Sequence, residues 1–375
     1  LHLQRSRARP KLQAYDGRGG ILRDGFQNQQ DETPRARLSY PFAEGPQDGQ
    51  AVDVAPGVKW LRMPLGGSLA YINVWAIEEE GGWAIVDTGM GGTTTRQAWR
   101  AAFAGALGER PATRVFVTHM HPDHIGMAGW LTRKFQCRLW ISRLEFLMCR
   151  SLAADTGREA PEDALAFYRA AGWEEEALED YRARFGGFGK GLHALPDSFR
   201  RLCHGDVVEI GGRPWRVVVG SGHSPEHVCL WQEELKLFIS GDQVLPKISS
   251  NVSVFPTEPD GDPLTEWLTS LAAIKAQVPD DVLVLPAHND PFHGLHARID
   301  HLIGGHERGL ARLRELIAEP KRAVDVFPVL FRRKIDHHVL GMATGESIAH
   351  LNCLISRGQA VREADETGVI WYRAA

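Results

Sequence analysis

The block Thr118-His119-Met120-His121-Pro122-Asp123-His124 constrains this chain more than any other stretch. It begins where the hydrophobic segment 114–118 stops, so it reads as a loop at a strand end. Such a loop can aim several side chains at one point. Neutral imidazoles with a carboxylate are a donor set for zinc and other divalent first-row ions. Four donors in one loop rarely complete a two-ion centre, so the remainder must come from elsewhere. His223 follows the apolar segment 215–219, Asp242 follows 237–239, and His288 follows 282–285. A lone histidine after a strand is usually structural. Three further donors in series, each just past the C-terminal end of a strand, are harder to dismiss.

The surrounding pattern is that of a layered α/β protein. Segments 69–77 and 83–86 read as strands joined by the acidic turn 78–82, and Asp87-Thr88-Gly89 follows directly. A helix is expected over 95–107 and a buried strand over 114–118. Strands return at 206–210, 215–219, 228–231, 237–240 and 282–285, with a helix at 264–277. Strands alternating with helices imply packed α and β layers. Residues 143–200 break that rhythm, with helices at 162–171 and 174–184 and the aromatics Phe167, Tyr168, Phe185 and Phe188. This segment is expected to form a helical insertion covering the cleft and walling a substrate pocket. Beyond His288, helices at 299–317 and 345–356 precede a hairpin at 360–364 and 368–372, which resembles a winged helix. The expected organisation is an N-terminal arm over 1–50, loop or oligomer contact; a catalytic domain over 51–298 with its insertion at 143–200; and a helical, winged-helix-like region over 299–375.

Composition narrows the partners. With 375 residues, 43% hydrophobic and 24% charged, the chain affords a sizeable core without disulfides. The formal charge of −4 gives no global attraction to nucleic acid or anionic membrane. In 341–375, Glu346, Glu363, Asp365 and Glu366 offset Arg357, Arg362 and Arg373. Five scattered cysteines with no CxxC pair suit a reducing compartment, so a cytoplasmic location is expected. No apolar run reaches the length of a membrane span, and 1–30 shows no signal-peptide core. A small-molecule substrate and a homodimer are the expected partners, with neither membrane nor nucleic acid.

On these residues the sequence resembles the metallo-β-lactamase superfamily over roughly residues 58–295. The resemblance implies an α/β fold, the αββα sandwich with its metals at one edge of two sheets. It implies one ion held by His119, His121 and His223, a second by Asp123, His124 and His288, and Asp242 bridging both. Asp87 matches the family aspartate that steadies the ligand loop. Two divalent ions are implied, zinc first, with iron or manganese able to take the same ligands. The Asp123-His124 pair and bridging Asp242 are similar to glyoxalase II-like, lactonase-like and nuclease-like members. No cysteine stands at a ligand position, which departs from the cysteine-containing zinc β-lactamases.

The chemistry implied is hydrolysis. Two ions about 3.5–4 Å apart can share a hydroxide, because coordination lowers the pKa of water to about 7. That hydroxide attacks a carboxylic ester, thioester or lactone, with Asp123 as the catalytic carboxylate that orients it. His227, four residues after His223, Lys247, close after Asp242, and Tyr168 in the insertion are candidates for substrate contact. His293 and His296 are expected to support the site or lie at the surface, and the remaining histidines to be surface residues. The alternative reading is a phosphodiesterase or nuclease of the same fold, followed by a metal-dependent oxidoreductase.

Overall fold

A computed structural model of the chain describes residues 38–66 and 69–375, so most of the expected N-terminal arm lies outside the described residues. The first sheet contains β1 (Val52–Ala55), β2 (Val58–Pro64), β3 (Tyr71–Glu79), β4 (Gly82–Val86), β5 (Ala112–Phe116), β6 (Arg138–Ile141) and β7 (Arg200–Arg201), in chain order. Strands β1 to β4 pair antiparallel, whereas β4 to β7 run parallel. The second sheet has the order β12-β11-β10-β9-β8, with β8 (Val207–Ile210), β9 (Arg213–Gly220), β10 (His227–Gln232), β11 (Leu237–Gly241) and β12 (Leu283–Pro286). Its neighbours are antiparallel except β11 and β12. Parallel pairing requires a crossover, and α1 (Thr93–Ala104), α3 (Ala128–Phe135) and α7 (Pro263–Gln277) supply three.

Side-chain alternation divides each sheet between two cores. On β3, Trp75 and Ile77 face the second sheet, while Ile72, Val74 and Ala76 pack under the outer helices. On β9, Val217 points into the inter-sheet core and Val218 into the core beneath α7. The inter-sheet layer joins Trp60, Trp75 and Phe116 to Trp215, Leu230 and Ile239. Trp99, Phe103 and Leu131 cover the first sheet, and Trp267, Leu271 and Ile299 cover the second. The result is the four-layer αββα arrangement. Strands β1, β2, β6 and β7 lie outside the expected pattern; β2 buries both faces, Val58 and Trp60 in the inter-sheet core and Leu61 and Met63 under the outer helices. All five cysteines are free. Among the described residues, no helix is long and apolar enough to cross a membrane.

The segment 38–50, expected as part of an arm, lies against the sandwich: Ser39 bridges His293, and the Phe42 ring meets Trp60 edge-on at 5.9 Å. Within 143–200, α4 (Arg143–Ala154) precedes α5 (Glu162–Ala170) and α6 (Glu175–Arg184). After His288 come α8 (Leu295–Leu316), the single turn α9 (Phe327–Leu330), α10 (Leu340–Ser356) and the hairpin of β13 (Ala360–Ala364) with β14 (Ile370–Ala374). The insertion joins this C-terminal part: Trp173 Nε1 donates to Thr344 Oγ1 at 2.9 Å, and Leu340 and Val324 pack on the insertion's cluster.

Candidate metal centre

The parallel strands β4 and β5 end side by side, which brings Asp87 against the ligand loop. Asp87 has a φ of 61°, a left-handed conformation that aspartate tolerates better than most residues. Its carboxylate accepts from Thr118 N and Thr118 Oγ1, each at 2.8 Å, and from His124 Nδ1 at 2.8 Å. Thr88 N donates to His124 O at 2.8 Å, fixing the loop again one residue later. The loop then turns into α2 (Pro122–Ile125), with Pro122 at the first helical position, where a missing N–H costs nothing. A side chain at Gly126 would meet the backbone of Gly91 and Gly89, so only glycine permits this close approach.

The other donors arrive from the second sheet. His223 sits between β9 and β10, Asp242 just past β11, and His288 just past β12. Buried Asn73 on β3 donates to Pro286 O at 2.8 Å and Asn289 O at 2.5 Å, so the first sheet fixes the His288 loop. His119, His121, His223 and Asp242 converge in one group, and Asp123, His124 and His288 in another, with donor atoms of each within 4.8 Å. Asp242 stands between them. Its Oδ2 is 3.4 Å from His223 Nε2 and from His124 Nε2, and its Oδ1 is 3.5 Å from His288 Nε2.

The hydrogen bonds fix the tautomers, and the tautomers fit a cation. Thr118 Oγ1 donates to Asp87, so at 3.1 Å from His119 Nδ1 it must accept there; His119 therefore carries its proton on Nδ1. His223 Nδ1 donates to Asn251 O at 2.7 Å. The His119 and His223 Nε2 atoms then both carry lone pairs, and these two face each other at 3.2 Å. Lone pairs so placed repel unless a positive ion lies between them. On the other side, buried His124 Nε2 and Asp242 Oδ1 have no hydrogen-bond partner, a costly state for buried polar atoms. The donor set and its frustrated contacts therefore suit two divalent ions.

The two halves differ in charge. Burial, then neighbouring imidazoles, holds His119 well below the ordinary histidine range, and burial with His223 lowers His121 to about 3. These rings are neutral near pH 7, as ligation requires. Burial opposes charge on His124 and His288 too, but the nearby carboxylates outweigh it and raise both, His124 strongly. Burial likewise opposes ionisation of Asp123, yet His124 and His288 pull its carboxyl down to about 2.

The residues expected to meet substrate are placed differently from one another. His227 is fully buried and its Nε2 accepts from Asp242 N at 3.0 Å, so it props the Asp242 turn from beneath rather than touching substrate. Tyr168 is buried in the insertion, stacked on Trp173 at 4.1 Å beside Tyr181 and Leu178; packing among its own helices takes up the ring. Lys247 is exposed, with Nζ 3.3 Å from Asp290, two residues past His288. His293 and His296 are half-buried and bond the carbonyls of Val282 and Val278. His306 and His350, expected at the surface, are buried, because α8 and α10 pack against the second sheet's helical layer.

Glu145 on α4 escaped the sequence reading. Fully buried, it accepts from Met120 N and from Glu226 N, both at 2.8 Å, and so ties the first ligand loop to the loop after His223. In sequence it is one acidic residue of an ordinary helix, and nothing local marks it.

Comparison with known proteins agrees with this geometry. The description of the metallo-beta-lactamase superfamily matches residues 67–288, and that of a metallo-beta-lactamase-like C-terminal domain matches residues 310–375. The chain is similar to a beta-lactamase domain protein from Burkholderia ambifaria, with 41% identity and a TM-score of 0.83 over 91% of this chain and 99% of that one. It is similar to a metallo-beta-lactamase family protein from Thermus thermophilus, with 25% identity and a TM-score of 0.72 over 86% of this chain and all of that one. A hydroxyacylglutathione hydrolase from Rhodopseudomonas palustris is 27% identical over 161 residues, 42% of this chain and 45% of that protein. With the family description spanning more than half its length and the paired His and Asp clusters at the strand ends, the chain belongs to the metallo-beta-lactamase superfamily.

Proposed function

We propose that this protein is a hydrolase that holds two divalent ions and cleaves a carboxylic ester, thioester or lactone. The observation that carries the reading is the pair of donor clusters sharing Asp242, with unprotonated ring nitrogens turned toward one another. His119, His121 and His223 would hold one ion, Asp123, His124 and His288 the other, with Asp242 between. When bound, such ions supply Lewis acidity and water of lowered pKa.

The chain's own groups define the rest. Asp87 and Asn251 O keep His124 and His223 turned with Nε2 inward. Asp123, with its carboxyl held down at about 2 and Oδ2 3.3 Å from His288 Nε2, would ligate the second ion and orient the attacking water beside it. Lys247 and Arg62 flank Asp290 near His288, two cations around one anion, which suits a substrate carrying a carboxylate. Acyl substrates are favoured over phosphodiesters on two counts. The relative from Rhodopseudomonas palustris is named for an acyl conjugate. The C-terminal arginines Arg357, Arg362 and Arg373 are each engaged by an acidic residue, Glu307, Asp260 and Glu363, which leaves a poor phosphate-binding face.

The test is a parallel screen of metal-loaded protein against aryl esters, acyl thioesters, lactones and a bis-aryl phosphate. Turnover of a carbonyl substrate that disappears on chelation is expected. Turnover confined to the phosphodiester would overturn the substrate class.

A further inference from the structure

We propose that Glu346, on α10, is a positioning residue for the three-imidazole pocket, acting through Asn251 to hold His223 in its ligating tautomer. The inference rests on the two-ion reading above. His223 reaches the centre on a loop, and the proton that frees its Nε2 is held by Asn251 O. The placement of that carbonyl therefore decides whether the ring can ligate. Asn251 is itself fixed by its side chain: Nδ2 donates to Glu346 Oε2 at 2.9 Å, and Oδ1 accepts from Ser253 Oγ at 2.7 Å.

The segment carrying Asn251 begins at Asp242 and lies on the C-terminal helices along its length. Arg298 of α8 donates to Leu245 O and Ile248 O at 2.6 and 2.8 Å. Ser249 Oγ is 3.1 Å from His306 Nε2, and His306 Nδ1 is 3.1 Å from His350 Nε2. His350 Nδ1 in turn donates to Glu346 O at 2.8 Å. Val254 N donates to Gly345 O at 3.1 Å, and a Cβ on Gly345 would stand 2.8 Å from Ser253 Cβ and Val254 O, so α10 seats directly against the strap. Glu346 is the acidic group on this contact and is 3% exposed. Burying a carboxyl is costly, and here its partner is the residue whose carbonyl orients a ligand. Burial pushes the Glu346 carboxyl well above the ordinary range, and glutamine keeps the side-chain oxygen that accepts from Asn251 Nδ2.

The test uses the full chain, stripped of metal and titrated with zinc against a chromophoric chelator. Wild type, Glu346→Ala, Glu346→Gln and Asn251→Ala are compared, and His121→Ala marks which affinity belongs to the three-imidazole pocket. Loss of a group that orients a ligand costs about 10–100-fold in metal affinity. Glu346→Ala and Asn251→Ala should each weaken that pocket about tenfold while the other pocket stays within about twofold. Glu346→Gln should bind as wild type. Combining the two alanine substitutions should add little to either alone, because both break one linkage. Wild-type zinc binding by Glu346→Ala, or equal weakening of both pockets, would overturn the proposal, as would failure of glutamine to restore binding. If Glu346→Ala does not fold, Asn251→Ala decides on the same criterion. Failure of the wild type to take up zinc would instead strike at the two-ion reading.

Discussion

The donors of the candidate metal centre are held in two different ways. His119, His121, Asp123 and His124 share one loop, and the turn that fixes it, Asp87-Thr88, ends the adjacent parallel strand. His223 and Asp242 follow the ends of two separate strands, β9 and β11, and the strap after Asp242 that carries Asn251 is seated on α8 and α10, far away in sequence. Donors that share a loop are positioned largely by that loop. Donors on separate strand ends need a second body to hold them, which gives the C-terminal helices a role in the site.

Substitutions can break that contrast. Asp242 faces both halves, so Asp242→Ala should empty both pockets. Loss of ions that supply several kcal/mol of transition-state stabilisation should lower turnover by more than about a hundredfold. Near-wild-type turnover in a folded variant would contradict its place between the pockets. Asp87→Asn should act on the ligand loop alone. The amide cannot accept at both positions, so His124 loses its fixed tautomer, and metal affinity should fall about 10–100-fold. Metal titration checks this, and wild-type affinity in both pockets would contradict the role of Asp87 in holding the ligand loop.

Acid should separate the halves as well. Protons compete with metal ions for imidazole nitrogens. The carboxylates raise His124 and His288 despite burial, so these rings take up protons at a higher pH than an ordinary histidine. His119 is held well below the ordinary range and His121 near 3, so they resist protonation. As pH falls, the ion beside Asp123, His124 and His288 should leave first. Stepwise dialysis with metal analysis should show two losses in that order; release of the His121-side ion first would contradict the charge contrast.

The smallest effect is expected where the insertion meets α10. Trp173→Phe removes the hydrogen bond to Thr344 Oγ1 and keeps most of the ring. It should cost about 1 kcal/mol in denaturant unfolding with metal content unchanged. A change in metal content would mean that the insertion also bears on the strap.

What the sequence made legible follows the same division. The ligand loop could be read because its four donors are contiguous and follow an apolar strand. His223, Asp242 and His288 could be read because each follows a strand of its own. The supports could not. Glu145, Asn251 and Glu346 meet their partners only through tertiary packing, and in sequence each is an ordinary polar residue of a helix or loop. His306 and His350 read as surface residues because nothing local reveals that α8 and α10 lie against each other behind the site. His227 and Tyr168 show the converse. His227 stands beside a ligand and Tyr168 among the aromatics of the insertion, and both are taken up by packing, one beneath Asp242 and one within the insertion.

The most direct measurement is metal stoichiometry on protein stripped of metal and then reconstituted with zinc, read by elemental analysis beside Asp242→Ala. The paired clusters predict about two equivalents per chain for the wild type, on the order of a two-metal hydrolase, and far less for the variant. A reproducible value near zero for the wild type, or equal content in the two proteins, would contradict the account.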